Sequence, residues 1–173
     1  MRNDKTTRIV YAAIIAAIYA ALTLVLAPIS YGPVQFRLSE VMVLLAIFDP
    51  LYIIGLTLGC FLANIFGSGV IDAIFGTLAT FISVVLIYFT GKSKIKELPK
   101  LFIASLWPVI VNGLIIGWMI SHFFTEGAES MWVLGGQVAI GEFGVVSIIG
   151  VLVFYKLGDK IKKYYYLSRK YYI

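Results

Sequence analysis

Tyr31-Gly32-Pro33-Val34-Gln35-Phe36-Arg37-Leu38-Ser39-Glu40 joins two strongly apolar runs and sets a guanidinium and a carboxylate three residues apart, in a 173-residue chain that is only 13% charged. Tyr31-Gly32-Pro33 signals a turn, because Gly tolerates positive φ and Pro fixes its own φ. Glu40 then opens an apolar run, Val41 to Phe48, which Asp49-Pro50 ends. Whether the segment from Val34 or Leu38 to Phe48 crosses a membrane or folds back as a re-entrant hairpin decides the topology, because at this length either is possible.

Composition makes the membrane the setting. Hydrophobic residues are 61% of the chain, against roughly 45–50% in soluble domains. Outward from the opening stretch, the apolar runs are about 9–28, 34–48, 51–66, 72–90, 101–121 and 132–155. The basic residues choose between the topologies. They fall in three blocks, namely Arg2, Lys5 and Arg8, then Lys92 to Lys100, then Lys156 to Lys170. If Val34–Phe48 spans, thirteen of the fourteen Lys and Arg share one side and only Arg37 lies opposite, as the positive-inside rule requires. The sequence therefore predicts a single all-α membrane domain, 1–173, in the cell membrane. It has six transmembrane helices, a short second helix, cytoplasmic N and C termini and a basic, aromatic tail at 156–173. A signal peptide is the rival for the first run, but its apolar core is too long and no clean cleavage site follows.

The same reading excludes several function classes. The net charge of +5 lies in blocks that flank apolar spans, which argues against nucleic-acid binding. One cysteine, Cys60, and one histidine, His122, supply neither a disulfide nor a metal cluster, and nothing calls for a cofactor. Gly91-Lys92-Ser93 resembles the end of a Walker A loop, but Leu86 stands where the pattern needs Gly. Pairing Ser68 with His122 as an intramembrane hydrolase has no supporting constellation. No catalytic constellation appears, and any pumping must draw on a partner or an ion gradient.

Two features carry mechanism. Ala12, Ala16 and Ala20 form one small-residue stripe on the first span, and Ala13, Ala17 and Ala21 form the next, offering close approach to a helix of this chain or of a partner. The second feature is a set of polar residues at membrane depth. Glu40, Asn64 and Asp72 sit at outer span ends, Gln137 in the first turns of the last span, and Asn112 and Glu142 near mid-span. Ionisable groups in hydrocarbon face a cavity or a partner because isolation there costs at least ~2.5–3.5 kcal/mol. Helix capping is the alternative for Asp72 and Asn64, and a loop-stapling pair the alternative for Arg37 and Glu40. Pro108, one turn before Asn112, should bend span five. Together these features predict a cavity open to the outside. Three carboxylates against Arg37 favour a cationic ligand, and Asn112, Asn64 and Gln137 suit the edge of a planar heterocycle. Trp118, Trp132, Phe36 and Phe143 are available to stack on it, or to serve as interfacial belt residues.

Several separate motifs, in order, resemble the QueT family: Tyr31 to Glu40, then Gly59-Cys60-Phe61-Leu62-Ala63-Asn64, then Asp72-Ala73-Ile74-Phe75-Gly76-Thr77-Leu78-Ala79-Thr80. Val109-Ile110-Val111-Asn112-Gly113 and Gly141-Glu142-Phe143 are similar to its later motifs. The resemblance implies the substrate-binding S-component of an energy-coupling factor (ECF) importer. Such a protein works with the membrane coupling protein EcfT and two cytoplasmic ATPases. It also implies that the first-helix motif matching Ala12, Ala16 and Ala20 docks onto EcfT. The implied substrate is a queuosine precursor, 7-aminomethyl-7-deazaguanine or its nitrile analogue. Glu142 would accept from the guanine-like edge, Glu40 or Asp72 would face the aminomethyl group, and Asn112 and Asn64 would read the remaining edge. The alternative is a stand-alone proton-coupled carrier of a small cationic heterocycle, with Glu142 and Asp72 as the relay.

Overall fold

The computed structural model describes residues 4–158 and residue 160, with side chains from Thr6 onward. Most of the expected tail, 159 and 161–173, lies outside the described residues, as does Arg2. Every described element is helical. They are α1 (Asp4–Val25), a single turn α2 (Ala27–Ser30), a 3-10 helix (Leu38–Ile47), α3 (Leu51–Gly67), α4 (Val70–Gly91), α5 (Glu97–Phe123) and α6 (Met131–Gly158). Four of them, α1, α4, α5 and α6, are by length and composition able to cross a membrane; the 3-10 helix and α3 are shorter apolar helices.

The boundaries differ from expectation where Pro and Gly intervene. The first run was expected to continue to Pro28, but α1 stops at Val25 and Pro28 lies in the first turn of α2, where a missing N–H costs nothing. Val34 to Arg37 is irregular, so the second helix starts at Leu38. Helix α5 runs through Pro108 as one element.

The 3-10 helix is the centre of the molecule and packs on α1, α3, α4, α5 and α6. At three residues per turn, positions three apart eclipse, and Glu40, Val43 and Ala46 form one fully buried face, each at most 1% exposed. Stretched winding also gains length: ten residues reach about 20 Å as a 3-10 helix, against about 15 Å as an α-helix. Asp49 ends it and starts α3, its Oδ1 accepting from the Leu51 N–H at 2.7 Å and from Arg8 Nη2 at 3.0 Å.

Small residues set the helix spacing. A Cβ at Gly55 would stand 2.8 Å from the Ala12 carbonyl, and one at Gly59 2.9 Å from that of Ala16. The stripe Ala12, Ala16 and Ala20 is therefore buried against α3 of the same chain, whereas Ala13, Ala17 and Ala21 are exposed. Of the two rows offered to a partner, Ala12 and Ala16 of the first lie against Gly55 and Gly59 of α3, and the second is exposed. On the other side of the bundle, Gly117 and Gly135 bring α5 and α6 into backbone contact.

Candidate functional site

Five helices and one loop deliver polar side chains to a common interior. Glu40 (3-10 helix), Asn64 (α3), Asp72 (α4), Asn112 (α5), Glu142 (α6) and Arg37 (the loop) are each at most 8% exposed. Glu142 lies within electrostatic reach of Glu40 and Arg37, and Arg37 within reach of Glu40 and Asp72.

Each member makes some bonds and leaves others open. Asn112 Nδ2 donates to Glu142 Oε1 at 2.7 Å. The Tyr19 hydroxyl donates to Glu40 Oε1. Asn64 Nδ2 donates to the Asp72 carbonyl at 3.2 Å and to Cys60 Sγ at 3.3 Å, and it lies so close to Gly76 that a Cβ there would overlap it. Asn64 thus bridges α3 to α4 with its side chain rather than capping a helix end. Ten buried side-chain N and O atoms lack a hydrogen-bond partner among the described residues, and half belong to this cluster: Arg37 Nη2, Glu40 Oε2, Asn64 Oδ1, Asp72 Oδ1 and Glu142 Oε2. A buried polar atom without a partner costs about 1–3 kcal/mol, so five in one place make this cluster the candidate site.

The opening loop covers the cluster. Tyr31 anchors it on α3: its hydroxyl donates to the Ala63 carbonyl at 2.6 Å and its ring fills the space beside Gly67. Burial pushes the Tyr31 phenol above its ordinary range, which keeps it a donor. The Arg37 guanidinium lies 5.1 Å from the Tyr31 ring centroid, and its Nε donates to the Ser30 carbonyl at 3.3 Å. Gln35 adopts a left-handed φ of 49°, a conformation that costs a non-glycine residue energy and persists only where its surroundings hold it. The loop then seats on α6. The Val34 carbonyl occupies the place a Cβ at Gly141 would need, and Phe36 packs against Gly144. The cavity expected to be open to the outside is thus a closed cluster beneath a loop. An apolar depression of about 320 Å³ is bordered by Ile29, Gly32 to Phe36 and Leu38 but includes neither Arg37 nor any of the three carboxylates.

Two expected residues are not brought in. Trp132 is 71% exposed at the start of α6. Gln137 is half-buried, and five positions before Glu142 puts it roughly 140° around the helix. Phe36 is 40% exposed and reaches the site only as part of the cover. Nor do Ser68 and His122 bond to each other: Ser68 donates to the Asn64 carbonyl and His122 stacks on Trp118. The sequence reading missed Tyr19, which is fully buried, and Thr23, whose hydroxyl lies 2.6 Å from Ser39 Oγ. Their signal was two hydroxyls four residues apart on an apolar span, on the same face as Ala12 and Ala16.

Residues 9–159 match the model of the QueT transporter family. The queuosine precursor transporter QueT of Lactococcus lactis subsp. cremoris (strain MG1363) is 34% identical, over 93% of this chain and 98% of that protein. No solved structure matches.

Proposed function

This chain belongs to the QueT transporter family and is a multi-pass membrane protein, and on that premise we propose that it captures a deazaguanine precursor of queuosine. It would do so as the S-component of an ECF importer that works with EcfT and two ATPases. The observation that carries the substrate reading is the set of five buried, partnerless polar atoms beneath the loop. Four are acceptors, on Glu40, Asn64, Asp72 and Glu142, and one is the Arg37 donor. A ligand that completes them brings several N–H groups and one acceptor. 7-Aminomethyl-7-deazaguanine has that inventory in its ring N–H, its exocyclic amine, its aminomethyl cation and its carbonyl. In this reading Glu142 accepts from the guanine-like edge and Glu40 or Asp72 faces the aminomethyl group.

Six spans with both termini cytoplasmic are part of the proposal. It is supported by Arg8–Asp49, which ties the start of α1 to the far end of the 3-10 helix, and by Ile47 packing on Gly91. The second helix thereby links the loop to the end of the molecule that carries the basic blocks.

The test is calorimetric titration of the detergent-purified protein with 7-aminomethyl-7-deazaguanine, its nitrile analogue and guanine. Tight binding of a deazaguanine with guanine excluded is the expected result. No binding to any of the three removes this substrate and leaves other cationic heterocycles.

A further inference from the structure

Resting on the reading that the cluster binds a donor-rich heterocycle, we propose that Tyr19 is a positioning residue with Asn112 as its counterpart. Each engages one oxygen of a carboxylate so that the second oxygen is presented to the ligand. The two arrangements are parallel although they come from different helices. The Tyr19 hydroxyl donates to Glu40 Oε1, and Asn112 Nδ2 donates to Glu142 Oε1 at 2.7 Å. In both residues Oε2 is buried without a partner.

Tyr19 is itself fixed before it fixes anything. It is 0% exposed, and its Cβ stands where a Cβ of Gly59 would need to be, at 2.8 Å. The Thr23 hydroxyl meets the Tyr19 carbonyl at 2.9 Å and Ser39 Oγ at 2.6 Å, which joins α1 to the 3-10 helix one residue before Glu40. A free glutamate side chain has three rotatable bonds whose freedom is lost on binding. An anchored one has lost it beforehand, so affinity is gained by preorganisation rather than by a new contact. The phenol has one hydrogen to donate, and it is engaged with Glu40. In this proposal Tyr19 acts through that carboxylate. One Asn112 N–H is engaged with Glu142 in the same way; its second N–H and its Oδ1 also allow direct contact with the ligand, which a double-mutant cycle separates from holding Glu142.

Double-mutant cycles read by calorimetry distinguish positioning from mere structural support. Tyr19→Phe should weaken 7-aminomethyl-7-deazaguanine binding about tenfold, the scale of one lost hydrogen bond to a charged group. In a Glu40→Ala background, where nothing is left to position, the same change should cost less than about twofold. Asn112→Ala with Glu142→Ala gives a second, independent cycle with the same expected pattern. Losses that multiply by equal factors in both backgrounds, or full affinity in Tyr19→Phe, would overturn the assignment. Wild-type protein that binds no deazaguanine would instead remove the substrate reading beneath it.

Discussion

Glu142 sits where α6 changes from α to π winding, with Gly141 before it and Gly144 two residues after, and those glycines admit the Val34 carbonyl and the Phe36 ring of the covering loop. One oxygen of Glu142 is held by Asn112 and the other has no partner. Replacing it by Gln puts an amide where the ligand presents donors. Glu142→Gln should weaken deazaguanine binding at least about tenfold, roughly 1.4 kcal/mol, while the variant still elutes as a folded monodisperse species. Unchanged affinity would take Glu142 out of the site. Trp132→Ala, by contrast, should leave the calorimetric affinity within about twofold, since the ring is exposed and apart from the cluster. The difference between these residues also marks what the sequence could reveal. A carboxylate at mid-span has a cost that demands an explanation, so Glu142 stood out. A tyrosine or tryptophan in an apolar run has an ordinary explanation, so nothing in the sequence singles out Tyr19 for the interior or shows that Trp132 lies 71% exposed.

At the level of elements, the cover over the site depends on two glycines on one helix that differ in what surrounds them. A Cβ at Gly141 would coincide with the Val34 carbonyl, whereas one at Gly136 meets nothing within 4 Å. Gly141→Ala should displace the Val34–Arg37 segment, lower deazaguanine affinity at least about tenfold and expose the loop to limited proteolysis. Gly136→Ala should do neither, and should raise helix stability by up to about 1 kcal/mol. Equal protease sensitivity in both variants would mean that the loop does not rest on α6. The turn at Tyr31-Gly32-Pro33 is legible because Pro fixes φ and Gly tolerates values that other residues avoid. The 3-10 winding that follows was not, because nearly every position from Val41 to Phe48 is apolar. A run without polar positions carries no period, so 3.0 and 3.6 residues per turn look alike. Only packing against five other helices, which buries Glu40, Val43 and Ala46 together, distinguishes them.

For the whole molecule, the proposed role as an S-component meets its test at α1. The stripe stood out in the sequence, but which of its two rows faces inward did not. Alanine four apart reads the same on either side of a helix, and only the glycines of α3 decide it. Ala16 is 2% exposed and its backbone lies 3.1 Å from where a Cβ of Gly59 would stand. Ala16→Phe should therefore force α1 and α3 apart, lower the thermal midpoint in detergent and weaken ligand binding with it, since α1 also carries Tyr19, which holds Glu40 on the 3-10 helix. Ala17 is on the exposed row, and Ala17→Phe should leave both the midpoint and deazaguanine affinity unchanged. If α1 docks onto a coupling protein through this row, Ala17→Phe should nonetheless abolish cellular uptake and co-purification with EcfT. The separation of capture from transport is the informative outcome. Full uptake by Ala17→Phe, or ligand accumulation by the purified chain alone in proteoliposomes under a proton gradient, would reject docking through this row; the second result would establish the stand-alone carrier in its place.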